Sequence, residues 1–442
     1  MVAAAVAGCS IYAQEALTVG QAVDLALNKN GSVEAARENA KAAESRVREA
    51  MGLRLPRVQY TESWQRSNNP VFVFGSLLNQ RQFTAANFDL NYLNNPPFLN
   101  NFQSQVSVDQ PVWDNGFRSS QVKAAAAGAQ ISAEDERRSR MNTIASVVRA
   151  YYAVLLAQES LGAAEEALKS AEADLNRAES RRKAGVTTDA DVLSIRVHLA
   201  AMRERQIRRK ADGEIARATL NQAMGVPLES AYQLTTTLRP AAVAQNGLDG
   251  AQKDAAEMRP EARQAILARQ GAEAQRVAAR SALLPEFFVR GGFEADRQQF
   301  VNKGGANWMA SAGMRWNLFS GFSDRARVEE AAHSMRAAEA QKRLVDSSVK
   351  LEARRAWLDL QAAGQRIEVA QAAVAMAEEN LRIIKNRYEA GLTDVTELLR
   401  TETALLDTRT RHLEAVQDQR LAAMGIELAA GRLSERSQVV VE

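Results

Sequence analysis

The stretch that decides the fold is written twice, as "RRKAGVTTDADVL" at Arg181–Leu193 and "RYEAGLTDVTELL" at Arg387–Leu399. In each, a run of helix-favouring residues meets an Ala-Gly pair, then Thr and Asp, then a new helical pattern. Glycine stops a helix by taking a positive φ that other residues resist, and a Thr or Asp side chain caps the next one. Each phrase therefore predicts a tight helical hairpin, with Gly185 and Gly391 as the stops and Thr187 or Thr188 and Thr393 as caps.

Aligning the two glycines gives a shift of 391 − 185 = 206, which also superposes Gly225 on Gly431 and Arg149-Ala150-Tyr151 on Arg355-Ala356-Trp357. Leu161, Leu168 and Leu175 recur every seven residues, as do Ile367, Val374, Leu381 and Tyr388. Alanines sit between them at Ala164, Ala171, Ala178, Ala370 and Ala377. A heptad seam alternating large and small side chains predicts close-packed coiled-coil helices. Upstream the shift becomes 285 − 56 = 229, matching the "LP" pairs at Leu55-Pro56 and Leu284-Pro285. The difference, 229 − 206 = 23 residues, is one insertion in the first copy between Pro56 and Trp113.

The expected organisation is a signal remnant at 1–13, a first repeat at 17–225, a linker at 226–250, a second repeat at 251–433 and a tail at 434–442. The first repeat is read as helix 32–53, strands 56–66 and 102–113, long helix 115–183, tip turn 184–187 and helix 188–224. The second is read as helix 259–283, strands 285–297 and 307–319, long helix 321–389, tip turn 390–393 and helix 394–430. All nine prolines fall at or before Pro285, and none interrupts the two long-helix windows. Helices of about 69 residues, roughly 100 Å, need partners alongside them.

The strands carry a period of two. Val58, Tyr60 and Trp64 share a face, as do Phe102, Val106, Val108 and Val112, with Gln103, Gln105, Ser107 and Asp109 opposite. In the second copy Phe287, Val289 and Phe293 oppose Glu286, Arg290 and Glu294, and Trp308, Ala310, Ala312, Met314, Trp316 and Leu318 share a face. Apolar-polar alternation with aromatics near the ends fits a membrane barrel or a two-sided soluble sheet. Four strands cannot close a membrane barrel, since eight is the smallest, so a barrel here must be shared among copies of the chain.

With 56 basic and 53 acidic residues, the net charge of +3 gives no pull toward nucleic acid. The basic run "RERQIRRK" at Arg203–Lys210 reads as a solvated helix face. One cysteine rules out a disulfide framework, and His198, His333 and His412 are never spaced as a ligand pair. No phosphate loop or nucleophile motif occurs, so neither catalysis nor a cofactor or metal is expected. The start "MVAAAVAGCSIYAQEALTV" is like the back half of a secretory signal whose basic beginning is missing. "VAGC" at Val6–Cys9 has the form of a lipobox, which would make Cys9 an acylated terminus, whereas cleavage after Ala13 would remove Cys9.

A doubled unit of strand hairpin, long helix, "AG" turn and return helix, behind a secretory start, resembles the TolC-like outer-membrane efflux channels. The likeness runs from Leu17 to about Leu433, with "MRPEARQA" at Met258–Ala265 and the "LP" pairs among its more specific pieces. The resemblance implies a fold that is mainly α with transmembrane β: a homotrimer whose long antiparallel helices form a periplasmic α-barrel beside a shared twelve-stranded β-barrel, four strands per chain. It also implies an outer-membrane exit duct for efflux or type I secretion. Its partners would be outer-membrane lipid, a periplasmic adaptor (membrane fusion protein) docking at the Gly185 and Gly391 tips, and an inner-membrane pump. The alternative is a periplasmic coiled-coil adaptor that never enters the membrane.

Carried over by position, the gate would use Tyr388, three before the second tip glycine, and Asp191, six after the first. A basic residue expected two after the second glycine is Thr393 here, so the closed-state network is either thinner or uses Arg387 or Arg400 instead. Glu397, joined by Asp394, would form an acidic ring. Each has a plainer role open to it: Tyr388 as heptad core, Asp191 as a helix-start residue, Glu397 as an exposed carboxylate. In the insertion the polar part is expected to be surface loop, with Val71–Phe74 extending a strand or tucking against a neighbouring protomer.

Overall fold

The computed structural model describes residues 15–241 and 247–441. Cys9 and the expected signal remnant at 1–13 lie outside them. In chain order the elements are β1 (Glu15–Leu17), α1 (Val19–Lys29), α2 (Gly31–Gly52), β2 (Arg57–Ser67), α3 (Pro70–Asn79), α4 (Leu90–Asn94) and β3 (Leu99–Trp113). There follow α5 (Phe117–Lys183), α6 (Asp189–Met224), β4 (Tyr232–Leu234), α7 (Leu248–Met258), α8 (Pro260–Ser281), β5 (Glu286–Arg297) and β6 (Gly305–Arg315). The chain closes with α9 (Ser323–Glu389), α10 (Val395–Ala429) and α11 (Gln438–Val441).

The internal duplication is written into the backbone. Helices α5 and α9 each have 67 residues, and 323 − 117 = 206. Each is preceded by two left-handed residues, Asn115 and Gly116 (φ 54° and 85°) before α5, and Gly321 and Phe322 (62° and 67°) before α9. Left-handed residues cannot join a right-handed helix, so the long helices start at 117 and 323 rather than at the expected 115 and 321. The return helices stop in matching ways. Gly225 (φ 72°) ends α6 against the Lys29–Asn30 backbone, and Gly431 (φ 74°) follows α10 against Met258–Arg259; a Cβ at either would come within 2.7 Å of backbone.

Contact patterns divide the chain into two compact units. The first holds residues up to Ala40, 132–265 and 342 onward. Its main core is built from one face of α5, with Ile144, Val147, Val148, Tyr151 and Tyr152, against Val19, Val23 and Met224. Tyr151 is fully buried; its hydroxyl donates to Leu17 O at 2.8 Å and lies 3.1 Å from Thr236 Oγ1, whose own hydroxyl can donate back to it. That tyrosine ties down β1, which runs parallel to β4. Three features depart from the expected organisation here. The 226–250 linker contains β4 and the start of α7; α1 forms under a Thr18–Gln21 capping box; and the 434–442 tail folds back as α11, burying Val439 and Val440 in the core. Along the hairpins, Ala164, Ala171 and Ala178 are buried where the heptad seam placed its small positions.

The second unit, 41–131 with 266–341, contains an antiparallel sheet in the order β2-β3-β5-β6. Its register separates the two faces. One carries Val58, Tyr60, Trp64, Val106, Phe293, Trp308 and Met314, and the other carries Gln103, Gln105, Ser107, Asp109, Glu294 and Asp296. Most of the apolar face is exposed, Trp308 at 82%. The last strand ends at Arg315 instead of 319, because Glu286 is the final rung opposite it and Pro285 has no N–H to extend the ladder. Trp316 and Leu318 therefore leave the strand. The insertion also differs from expectation: Val71–Phe74 lie in helix α3, where Asn69 accepts from Val71 N and Phe72 N and Pro70 occupies the first turn. A cap followed by proline starts a helix even where the side chains favour strand.

Candidate functional site: the hairpin tips

Each tip is built by local hydrogen bonds that the sequence dictates. At the first, Gly185 N donates to Arg182 O at 2.9 Å and Val186 N to Arg181 O at 2.9 Å; at the second, Gly391 N donates to Tyr388 O at 3.0 Å and Leu392 N to Arg387 O at 2.8 Å. Both are the paired closure of a left-handed helix stop, with φ of 74° and 73° at the two glycines. The helix starts differ. Thr188 Oγ1 accepts from Asp191 N at 3.1 Å while Asp191 Oδ2 accepts from Thr188 N at 3.1 Å, a reciprocal capping box. At the second tip Asp394, rather than the expected Thr393, is the cap, accepting from Glu397 N at 2.9 Å.

Asp191 Oδ2 also accepts from Thr188 Oγ1 at 2.8 Å and Thr187 Oγ1 at 2.9 Å. The Thr188 hydroxyl and N–H hold this carboxyl below the usual range, with Thr187 adding to them against slight burial. Tyr388 is half-buried against a small core of Ala178, Val192, Ile195 and Val395. Burial raises its pKa; the Arg181 guanidinium opposes this, the Asp191 charge adds to it, and Thr187 lowers it through its side chain. Arg181 lies over the Tyr388 ring at 5.4 Å and donates from Nη1 to Tyr388 O at 3.4 Å. Thr187 thus stands between the Asp191 and Tyr388 that the sequence singled out. The basic residue that meets Tyr388 is Arg181, from the other hairpin.

Among the described residues, Asp394 and Glu397 make no bond to Tyr388 or Asp191. Glu397 is half-buried; its N–H is capped by Asp394 and its carbonyl accepts from Thr401 Oγ1 at 2.8 Å. Arg387 and Arg400 are exposed.

About three helical turns from the tips, a charged cluster around the buried Asp174 and Glu402 links α5, α6, α9 and α10. Asp174 bonds Arg177 and lies 3.9 Å from Lys385 Nζ. Ser170 Oγ donates to Glu402 Oε1 at 3.2 Å, while His198 Nε2 lies 3.4 Å from Glu402 Oε2. Burial raises the Glu402 pKa, hydrogen bonding to Asp174 raises it further, and His198 opposes. No sequence motif marks this cluster, because it depends on how four helices are rotated about their axes. No group of three or more metal-ligating side chains occurs among the described residues.

A model of the Outer membrane efflux protein family matches residues 22–226 and 251–432. The chain belongs to that family. The two matched segments coincide with the two copies of the hairpin unit. Protein CyaE of Bordetella pertussis is 30% identical over 337 residues, covering 74% of this chain and 70% of that protein. A membrane protein from Pseudomonas aeruginosa has a similar structure, with a TM-score of 0.83 at 20% identity and 93% of each chain covered. CusC, described by its transmembrane channel formation, matches with a TM-score of 0.82 at 17% identity, over 94% of this chain and 92% of its own. The fold is that of TolC-like outer-membrane channels, and no helix among the described residues is long and apolar enough to cross a membrane.

Proposed function

We propose that the chain is one protomer of a homotrimeric, passive exit duct in a tripartite efflux or type I secretion system. A periplasmic adaptor docks at the Gly185 and Gly391 tips, and an inner-membrane pump supplies the energy. The observation that carries this is the sheet: four strands with an exposed apolar-aromatic face and a polar face cannot close alone, and three copies make twelve strands with a lipid-facing outside and a wet inside. The helical part then lies in the periplasm.

Gating follows from the tips. The Arg181–Tyr388 contact joins α5 to α9, and the Thr187–Asp191 bond fixes the surface against which Tyr388 packs. A cation–π contact of this exposure contributes about 0.5–1 kcal/mol, so three copies contribute about 1.5–3 kcal/mol. Inverting a 1:99 equilibrium takes about 5.5 kcal/mol, so an adaptor that contacts the open tips better by about 2 kcal/mol per protomer is sufficient to open them. Asp394 and Glu397 of three copies add a cation-favouring ring at the constriction. Single-channel recordings of purified trimers test this. Arg181→Gln and Asp191→Ala should each raise the conductance of the resting channel, and unchanged conductance in both would discard the tip assignment.

A further inference from the structure

The insertion between β2 and β3 does more than cover a loop. Two independent features place its helix α3 on the polar face of the sheet. Gln80, the C-cap of α3, donates from Nε2 to Asn101 Oδ1 at 2.8 Å, and Asn101 Nδ2 donates to Asp296 Oδ1 at 2.6 Å. Asn101 shares its face with Gln103, Gln105 and Ser107, and Asp296 pairs directly with Gln103. The second feature is Gly305, paired with Asp296 and so pointing to the same side; a Cβ there would meet the Asn79 carbonyl oxygen at 1.7 Å. The end of α3 therefore rests on the polar face at a position only glycine permits. Asn101, Asp296 and Gly305 are buried beneath it, whereas nearly all of β2 is exposed.

The helix has two sides. Val73, Ser76, Leu77 and Gln80 are buried, while Val71 (82% exposed), Phe74 and Leu78 form an exposed apolar stripe at helical spacing. The loops that carry α3 and the β5–β6 turn lie at the sheet end opposite the strand-to-helix corners. If three sheets close one barrel, their polar faces line its interior, and each α3 stripe looks toward the other two copies. Twelve strands enclose more room than eight, which side chains fill, and less than the sixteen to eighteen that leave an open pore. Helices about 10 Å across occupy a large share of that room.

The geometry points to an apolar collar inside the outer mouth of the channel, formed by Val71, Phe74 and Leu78 of three copies. The inference rests on the exit-duct reading and gives it a selectivity element separate from the tips. An apolar constriction resists hydrated ions, because water leaves it readily, while apolar and amphipathic solutes pass by partitioning into it. The duct is thereby biased toward amphipathic cargo at its exit.

Thiol labelling of intact cells tests the collar. Ser107 lies on the polar face six residues along β3 from Asn101, about 20 Å farther from the loop end. A Ser107→Cys chain is exposed from outside to a small membrane-impermeant thiosulfonate and to a bulky polyethylene-glycol maleimide, with the parent chain as control. The small reagent should label Ser107→Cys, slowly past the intact collar and faster once Gly305→Ala dislodges α3, and failure to label in either background overturns the duct reading itself. The bulky reagent should label it at least tenfold faster once Gly305→Ala dislodges α3; equal rates overturn the collar alone. A second arm leaves α3 in place. Val71→Cys in assembled trimers should be joined between copies by a short bis-maleimide, and absence of such products overturns the collar whatever Gly305→Ala does to folding.

Discussion

Helices α5 and α9 have the same length, the same left-handed lead-in and the same glycine stop, yet they bury different amounts of themselves. Ten residues of α5 from Met141 to Leu155 enter the main core, whereas α9 contributes only Leu360 to it. In place of a core, α9 presents Leu344, Leu351 and Leu358, and then Val369, Met376 and Ile383, exposed and seven apart. The seam that α9 shares with its own chain, Ile367, Val374, Leu381 and Tyr388, lies two residues from the second of these stripes. Duplication preserved the backbone while the two copies divided the labour of burial: α5 holds the protomer together, and α9 leaves a heptad stripe exposed, which in the trimer proposed above is the surface available to a neighbouring copy.

The sharpest way to break that comparison is to charge the spare stripe. Leu351→Asp with Leu358→Asp should abolish heat-resistant trimers in the outer-membrane fraction while helical circular dichroism is retained; surviving trimers would show that the stripe faces something other than another copy. Next in size is the matched pair Tyr151 and Trp357, superposed by the 206-residue shift. Tyr151→Ala removes a fully buried ring with two hydrogen bonds and should cost about 3–5 kcal/mol in denaturant unfolding. Trp357→Ala, at a partly exposed site, should cost less than about half as much in detergent-dispersed monomers. A similar loss at both positions would mean the copies share burial evenly.

The smallest effect concerns charge. Glu402 is superposed on Arg196, an exposed residue paired with Glu179 at 2.8 Å, so the buried acid belongs to the second copy alone. The pKa of Glu402 is raised in the fold, so the stability linked to its proton is present below the ordinary carboxylate range and is lost as pH rises through the raised value. Glu402→Gln should remove this loss, stabilising the protein at pH 8 and hardly at all at pH 4. Thermal unfolding across that range, with Arg196→Gln as the flat control, reads the difference.

The long helices and the turns are legible because the residues that make them are adjacent in sequence: the heptad seam, the tip glycines and the threonine before Asp191. What escapes is of two kinds. Some elements are too short for a period to register, such as the three-residue β1 and β4, whose pairing is fixed by the distant Tyr151. Others are decided between helices. Arg181 looks like one more basic residue at a helix end until α9 brings Tyr388 beneath it, and Glu402 and Asp174 are ordinary helix carboxylates until α6 brings His198 to the first and α9 brings Lys385 to the second. At α3 the apolar β-favouring letters of Val71–Phe74 outweighed a local Asn-Pro start that proved stronger.

The equality of α5 and α9 makes them behave as the two legs of a calliper. One residue inserted into α5 alone would lengthen that leg by about 1.5 Å and turn everything beyond it by about 100°, swinging Arg181 away from Tyr388. Length change in this architecture is therefore constrained as a difference between legs: whole heptads added to both preserve the alignment of the points, and a single codon added to one does not.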